Sequence, residues 1–318
     1  MGSSFTVVVQ RFGAVLGDVM DPKNIGGRYG MLEIQQLSIW IQTANEEKQV
    51  LWDATITIPA GKTVGIVGES GSGKSMLVQA IMQLFRDSRR YNGDILFEGR
   101  SLLTMDEHEL HQLRGNDIAL IMQNPVAMFN PAVTIGEHFI EMLQAHSSIK
   151  KQHALKIATE QLARFQLPDV TILKKYPHEL SVAMLQRIMI ALTASLSPKL
   201  LLADDPTTAL DTLTQLEILE DLALYQQQTN TSMLIVSNDV SVIAKMADII
   251  IVMRHGQIIE YGPAECILMQ PVHSYTKALL AAKDNQYSLE RLIDAWSKKI
   301  TGELYEYKQG YWVRQEET

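Results

Sequence analysis

The stretch Gly68-Glu69-Ser70-Gly71-Ser72-Gly73-Lys74-Ser75 decides the fold of this chain. It fits the phosphate-loop pattern G-x-x-x-x-G-K-[ST]. In that pattern glycines let successive backbone N–H groups converge on a phosphate, and the next helix adds the positive end of its dipole. The flanks agree. Thr63-Val64-Gly65-Ile66-Val67 is an apolar, β-branched run that predicts a buried strand, and Met76 to Phe85, free of Gly and Pro, predicts a helix. Strand, loop and helix are the context the motif requires. The backbone of Gly68, Glu69, Ser70, Gly71, Ser72 and Gly73 would form the cradle. Lys74 would reach the β- and γ-phosphates, and the Ser75 hydroxyl would hold Mg²⁺. The chain is expected to bind a nucleoside triphosphate.

Composition bounds the possibilities. With 318 residues, 46% hydrophobic and 20% charged, there is room for one large or two ordinary domains with a real core. A net charge of −8 and a pI near 5.5 argue against nucleic acid as the main partner. The single cysteine, Cys266, excludes an intramolecular disulfide and fits a reducing compartment. No apolar run approaches the roughly 20 residues needed to span a bilayer, and no secretory signal precedes the first strands. Contact with a membrane would go through another protein.

Along the chain, residues 1–30 read as a leader or poorly defined segment before Met31. From Met31 the apolar and polar residues alternate through Leu32–Leu37, Ile39–Ile41 and Ala54–Ile58, which predicts half-exposed antiparallel strands. Asn92-Gly93 predicts a turn leading into a strand up to Gly99, and Ile118–Met122 a buried strand ending at Gln123-Asn124-Pro125. Residues 125–195 are helical in pattern and look like an insertion. Two strong apolar strands follow, Lys199–Asp204 and Ser232–Ser237, with a helix from Leu213 to Gln227 between them. Asp248–Met253 and Gln257–Glu260 suggest a hairpin around His255-Gly256. Strands and helices alternating around a phosphate loop imply an α/β core with a mainly parallel sheet.

An apolar strand ending in paired carboxylates, Leu200 to Asp205, has the Walker B arrangement, about 130 residues after the phosphate loop. Asp204 would hold Mg²⁺ directly or through water, and Asp205 sits where the base that orients the attacking water usually lies. Glu107-His108-Glu109-Leu110-His111 is one residue short of H-E-x-x-H and is better read as a solvated helix face.

Pro206-Thr207-Thr208-Ala209-Leu210-Asp211 after the carboxylates, Gln123 after a strand, and Leu180-Ser181 with Gln186-Arg187 before Walker B form an ordered set. The set resembles the ATP-binding subunits of ATP-binding-cassette (ABC) transporters. Three stretches are similar to the branch of bacterial importers of oligopeptides, dipeptides and nickel. They are Ile121-Met122-Gln123-Asn124-Pro125 with Phe129-Asn130-Pro131; Met184 to Ala191; and Pro271-Val272-His273-Ser274-Tyr275-Thr276 with Leu279-Leu280. The wording around Gln123 and Met184 is closest to nickel-type members.

The resemblance implies a RecA-like parallel core, an antiparallel β subdomain and a helical insertion over residues 31–262, then a C-terminal extension and tail over 263–318. It also implies ATP and Mg²⁺ as ligands, with Gln123 joining Ser75 and Asp204 at the metal and linking the γ-phosphate to the insertion, where permease loops dock. Trp40 is the nearest aromatic for stacking on adenine, with a core tryptophan as the alternative. Ser181, Val182, Ala183 and Met184 would face the ATP of a second ATPase subunit, and Asp211 lies in the segment that crosses to it. Two permeases and, indirectly, an extracytoplasmic binding protein complete the expected assembly, peripheral on the cytoplasmic face of the membrane.

Three departures accompany the matches. Family members usually have Leu-Ser-Gly-Gly where this chain has Leu180-Ser181-Val182-Ala183, and side chains there crowd a backbone that should approach phosphate closely. The usual catalytic Glu is Asp205, whose carboxylate sits about 1.5 Å further back. The usual switch His is Asn238, which cannot carry the imidazole's proton. Asp205 and Asn238 serve this chain's own phosphate loop, whereas Val182-Ala183 serve the partner's. A heterodimer with a better-equipped ATPase is therefore expected, with hydrolysis weakened at this chain's own site. The alternatives are a regulatory nucleotide-binding subunit with little hydrolysis and a non-transport ABC ATPase.

Overall fold

A computed structural model describes residues 30–42, 46–208, 210–281 and 302–315, so the expected leader, Gly30 apart, lies outside the described residues. The first strands form a four-stranded antiparallel sheet. β1 (Leu32–Gln42) pairs with β2 (Glu47–Ile58) and, on its other side, with the later β4 (Arg89–Phe97), which continues into β5 (Arg100–Ser101). Between β2 and β4 come β3 (Thr63–Val67) and α1 (Lys74–Ile81). Asn92-Gly93 is not a turn. Gly93 lies inside β4 at φ 92°, opposite a break in the β1 register between Gln35 and Ser38, and a Cβ there would collide with the Gln35 and Gln36 carbonyls. The Asn-Gly pair serves a β-bulge instead.

After α2 (Glu107–Leu113) and β6 (Ile118–Ile121) the chain enters a helical region: α3 (Pro125–Met128), α4 (Ile135–His146), α5 (Lys151–Arg164) and α6 (Val182–Ala194). β7 (Leu200–Asp204), α7 (Thr212–Thr229), β8 (Ser232–Ser237), α8 (Val240–Met246) and β9 (Ile249–Arg254) rebuild the α/β pattern. β10 (Gln257–Pro263), α9 (Ala264–Met269), α10 (Ser274–Ala281), β11 (Leu304–Lys308) and β12 (Tyr311–Arg314) complete the described chain.

The main sheet has the order β11-β12-β10-β9-β3-β8-β7-β6. Its strands β9, β3, β8, β7 and β6 run parallel. Every residue of β3, β8 and β9 is buried, as expected for strands covered on both faces. One face carries the core that includes α6, α7 and α8; the other packs on α1 and the antiparallel sheet. Arg187 of α6 is buried and pairs with Asp221 and Glu217 of α7, each at 2.6 Å. Burial raises the Asp221 pKa, against the lowering effects of Gln166 and Arg187. Removing Arg187 would strand a buried carboxylate.

The aromatic tail is part of the sheet. β12 pairs antiparallel with β10, and Tyr311 and Val313 enter the main core. Cys266 is half-buried against that core, and burial pushes its thiol pKa up.

Candidate nucleotide site

Parallel register gathers the site. Val67 of β3 pairs with Ser237 of β8, Val236 with Asp204 of β7, and Ala203 with Ile121 of β6. Gly68, Asn238, Asp205 and Gln123 therefore all follow the carboxyl ends of adjacent strands, where open α/β sheets bind ligands. The loop between β3 and α1 turns through Gly71 at φ 78° and Gly73 at φ 102°, and Gly73 is the N-cap of α1. Gly68 packs so closely on the Met253 carbonyl that a Cβ would collide with it. The β9–β10 turn braces the loop, with Gly256 N–H donating to the Ser72 carbonyl at 2.8 Å. Glu69, Ser70 and Ser72 fill the remaining positions, and Ser72 N–H donates to the Glu69 carbonyl at 3.1 Å.

Lys74 is 5% exposed, and its ammonium donates to the carbonyls of Gly68 (2.8 Å) and Glu69 (2.7 Å), to Ser72 Oγ (3.2 Å) and to Asn238 Oδ1 (2.7 Å). Burial lowers its pKa, while Asp205, Asp204 and Glu69 pull it back up. Ser75 Oγ donates to Asp204 Oδ1 at 2.9 Å. Asp204 has a raised pKa, chiefly through desolvation, with the Asp205 charge adding and Ser75 and Lys74 opposing. Polyphosphate oxygens could replace the carbonyl acceptors of Lys74, and Ser75 with Asp204 supplies the hard oxygen pair that Mg²⁺ takes. The residues present fit both groups.

The two altered positions touch. Asp205 Oδ1 accepts from Asn238 N–H at 3.2 Å, and Asn238 Oδ1 in turn holds Lys74. Asp205 is buried and left-handed, at φ 46°, a conformation held by its own N–H donating to Val236 O at 2.8 Å. Gln123 is exposed beyond β6. Trp40 is half-buried in β1, one face covered by the Arg90 guanidinium at 3.8 Å, which Glu47 holds with two 2.8 Å bonds.

The Leu180–Met184 segment is built on different terms. Ser181 caps α6 by accepting from Met184 N–H at 3.2 Å, and Val182 stands 43% exposed with Ala183 and Met184 half-buried behind it. The exposed apolar side chain occupies the helix N-terminus that the usual glycines would leave bare. Asp211 caps α7 through Leu213 and Thr214 N–H, both at 3.1 Å. Glu107, His108, Glu109 and His111 lie on the exposed side of α2.

Sequence reasoning missed the residues behind the loop. Gly256, Arg254 and Tyr275 come from a hairpin and a helix some 180 to 200 residues away, and no local pattern points from them to Gly68–Ser75.

Known proteins resemble this chain in sequence and fold. The ABC transporter family profile matches residues 51–208. The metal-staphylopine import system ATP-binding protein CntD of Staphylococcus aureus is 42% identical over 238 residues, 74% of this chain and 88% of that protein. The oligopeptide transport ATP-binding protein OppD of Salmonella typhimurium is 38% identical over 253 residues, covering 79% and 76%. Among solved structures, the ATP-binding cassette MJ0796, in a dimeric post-hydrolysis state bound to ADP and Pi, aligns with a TM-score of 0.67 at 24% identity, over 74% of this chain and 99% of that one. CbiO1 from Clostridium perfringens aligns at 0.66 and 20% identity, covering 84% and 100%. The chain belongs to the ABC transporter family, as an ATP-binding subunit of the oligopeptide and metal importer branch. It is an ABC-type transport ATPase.

Proposed function

We propose that this chain is the motor subunit of a bacterial importer for nickel, another metal chelate or short peptides. It pairs with a second, better-equipped ATPase and docks on two permeases at the cytoplasmic face of the membrane, with cargo delivered by an extracytoplasmic binding protein. The cargo classes follow the names of the relatives, one a metal-staphylopine and one an oligopeptide import ATPase. Among the described residues no helix is long and apolar enough to cross a membrane.

In this reading the loop N–H groups of Gly68 to Gly73 and the α1 N-terminus hold the phosphates, and Lys74 exchanges carbonyl oxygens for phosphate oxygens. Ser75, Asp204 and Gln123 would hold Mg²⁺, which supplies charge neutralisation at the β- and γ-phosphates. Asp205 orients the attacking water from a shortened side chain, and Asn238 contacts the γ-phosphate side through its amide. Trp40 would stack on adenine. Ser181 and the α6 N-terminus serve the partner's nucleotide.

The observation that carries weakened hydrolysis is the Asp205–Asn238–Lys74 chain. The shortened Asp205 carboxylate is tied at one oxygen to the Asn238 main-chain N–H, and the Asn238 side chain, in place of the usual imidazole, accepts from Lys74 through its amide oxygen. The test is steady-state ATP turnover by the purified chain, alone and with the ATPase that co-purifies with it and its permeases. Tight nucleotide binding, slow turnover alone and recovery in the mixed complex are expected. Turnover alone at the level of ordinary family members would refute the heterodimer.

A further inference from the structure

The phosphate loop is held from behind by side chains that the ATPase chemistry does not use. Glu69 turns its carboxylate away from the cradle, with Oε1 buried and 3.8 Å from Arg254 Nε at the end of β9. Arg254 is 3% exposed, and its guanidinium lies 4.9 Å from the ring centroid of Tyr275 in α10. Tyr275 is itself 1% exposed. Burial, and then the Glu69 charge, push its phenol pKa up.

This contact bears on the loop because the Glu69 peptide is one of its supports. The Glu69 carbonyl accepts from Lys74 Nζ at 2.7 Å and from Ser72 N–H at 3.1 Å. The far end of the contact is equally well anchored. Tyr275 N–H donates to His273 Nδ1 at 3.0 Å, and the fully buried Glu260 accepts at one oxygen from Val272 N–H (2.7 Å), His273 N–H (2.9 Å) and the Tyr311 hydroxyl (2.9 Å).

We propose that Arg254, stacked on Tyr275, is a positioning residue for the phosphate loop, its ion pair with Glu69 coupling α10 and the C-terminal hairpin energetically to nucleotide binding. The inference rests on Gly68–Ser75 being the nucleotide site. A loop whose second residue is pinned has less conformational freedom to lose on binding. By linkage, nucleotide must then stabilise α10 to the same degree that α10 favours nucleotide.

The test uses the full chain and fluorescent mant-ATP. R254M, which removes the guanidinium, and E69Q should each weaken affinity about five- to tenfold, within the usual range of coupling between sites. The double variant should be no weaker than the weaker single, since both remove one contact. ATP should slow hydrogen exchange at residues 272–279 in the wild type and not in E69Q, a readout that a purely structural role for Arg254 would leave unchanged. Affinities within twofold of wild type for folded R254M and E69Q, or losses that simply multiply in the double variant, overturn the proposal. If R254M does not fold, E69Q and the exchange experiment decide. Failure of the wild type to bind mant-ATP would overturn both this proposal and the reading of the site.

Discussion

The phosphate loop and the Leu180–Met184 segment are both parts of ATP chemistry, yet the chain builds them in opposite ways. Lys74 is buried under four acceptors, and its loop is braced by the turn at Gly256 and by Glu69, Arg254 and Tyr275. Ser181 and Val182 sit on an exposed helix N-terminus, held by the Ser181 cap on Met184 N–H and by the backbone bond from Leu185 N–H to the Ser181 carbonyl. Preorganised donors cost nothing at the moment of binding, whereas an exposed segment depends on what is brought to it. The contrast fits a chain that binds nucleotide by itself and needs a second chain to use it.

Several substitutions would break or sharpen this contrast. The largest effect belongs to Lys74. K74A should weaken ATP affinity by at least about 100-fold in calorimetric titration, because the loop's ammonium is lost from a buried site. Retained affinity would mean that the backbone cradle alone suffices. Restoring the catalytic carboxylate should act in the other direction. D205E with N238H should raise turnover of the purified chain by up to about 10²-fold, the scale set by a misplacement of about 1 Å. An unchanged rate would remove Asp205 and Asn238 as the basis of the proposed weakened hydrolysis.

On the exposed side, V182G with A183G should raise turnover of the mixed complex by about tenfold, while leaving this chain's own ATP affinity unaltered. Equal affinity and equal turnover would show that the partner tolerates the side chains. S181A should cost about 1 kcal/mol of stability through loss of the α6 cap, measured by urea unfolding.

The smallest effect concerns Asp204 and runs against its importance for metal. Its pKa is raised in the fold, so its favourable contribution is complete below the ordinary carboxylate range and is lost as pH rises through the raised value. Relative to acid, neutral pH therefore disfavours the fold at this position. D204N should therefore raise the melting temperature at pH 7, with the gain shrinking in acid, while abolishing Mg²⁺-dependent turnover. A lower melting temperature at pH 7 would mean that the Ser75 and Lys74 contacts outweigh burial.

What the sequence revealed followed the range of its signals. Gly68–Ser75, Leu200–Asp205 and the α/β alternation were legible because each depends on neighbours within one strand–loop–helix unit. Asn92-Gly93 misled because the same left-handed freedom serves a turn and a bulge, and only the register against Gln35 and Ser38 distinguishes them. The stack of Arg90 on Trp40 crosses two strands. The contact between Asp205 and Asn238 depends on β7 and β8 being adjacent. The tail hid its role because Tyr311 and Val313, among charged neighbours, become core residues only beside β10.

That tail also determines how the main sheet ends. β11 is the outermost strand on its side among the described residues, and it carries Tyr305 and Tyr307 at 45% and 46% exposure with Glu306 and Lys308 between and after them. A sheet margin with two surface tyrosines invites strand-to-strand association with another molecule, and alternating charges are a common deterrent. Neutralising Glu306 and Lys308 together would therefore show up first as lost colloidal solubility, before any change in nucleotide chemistry.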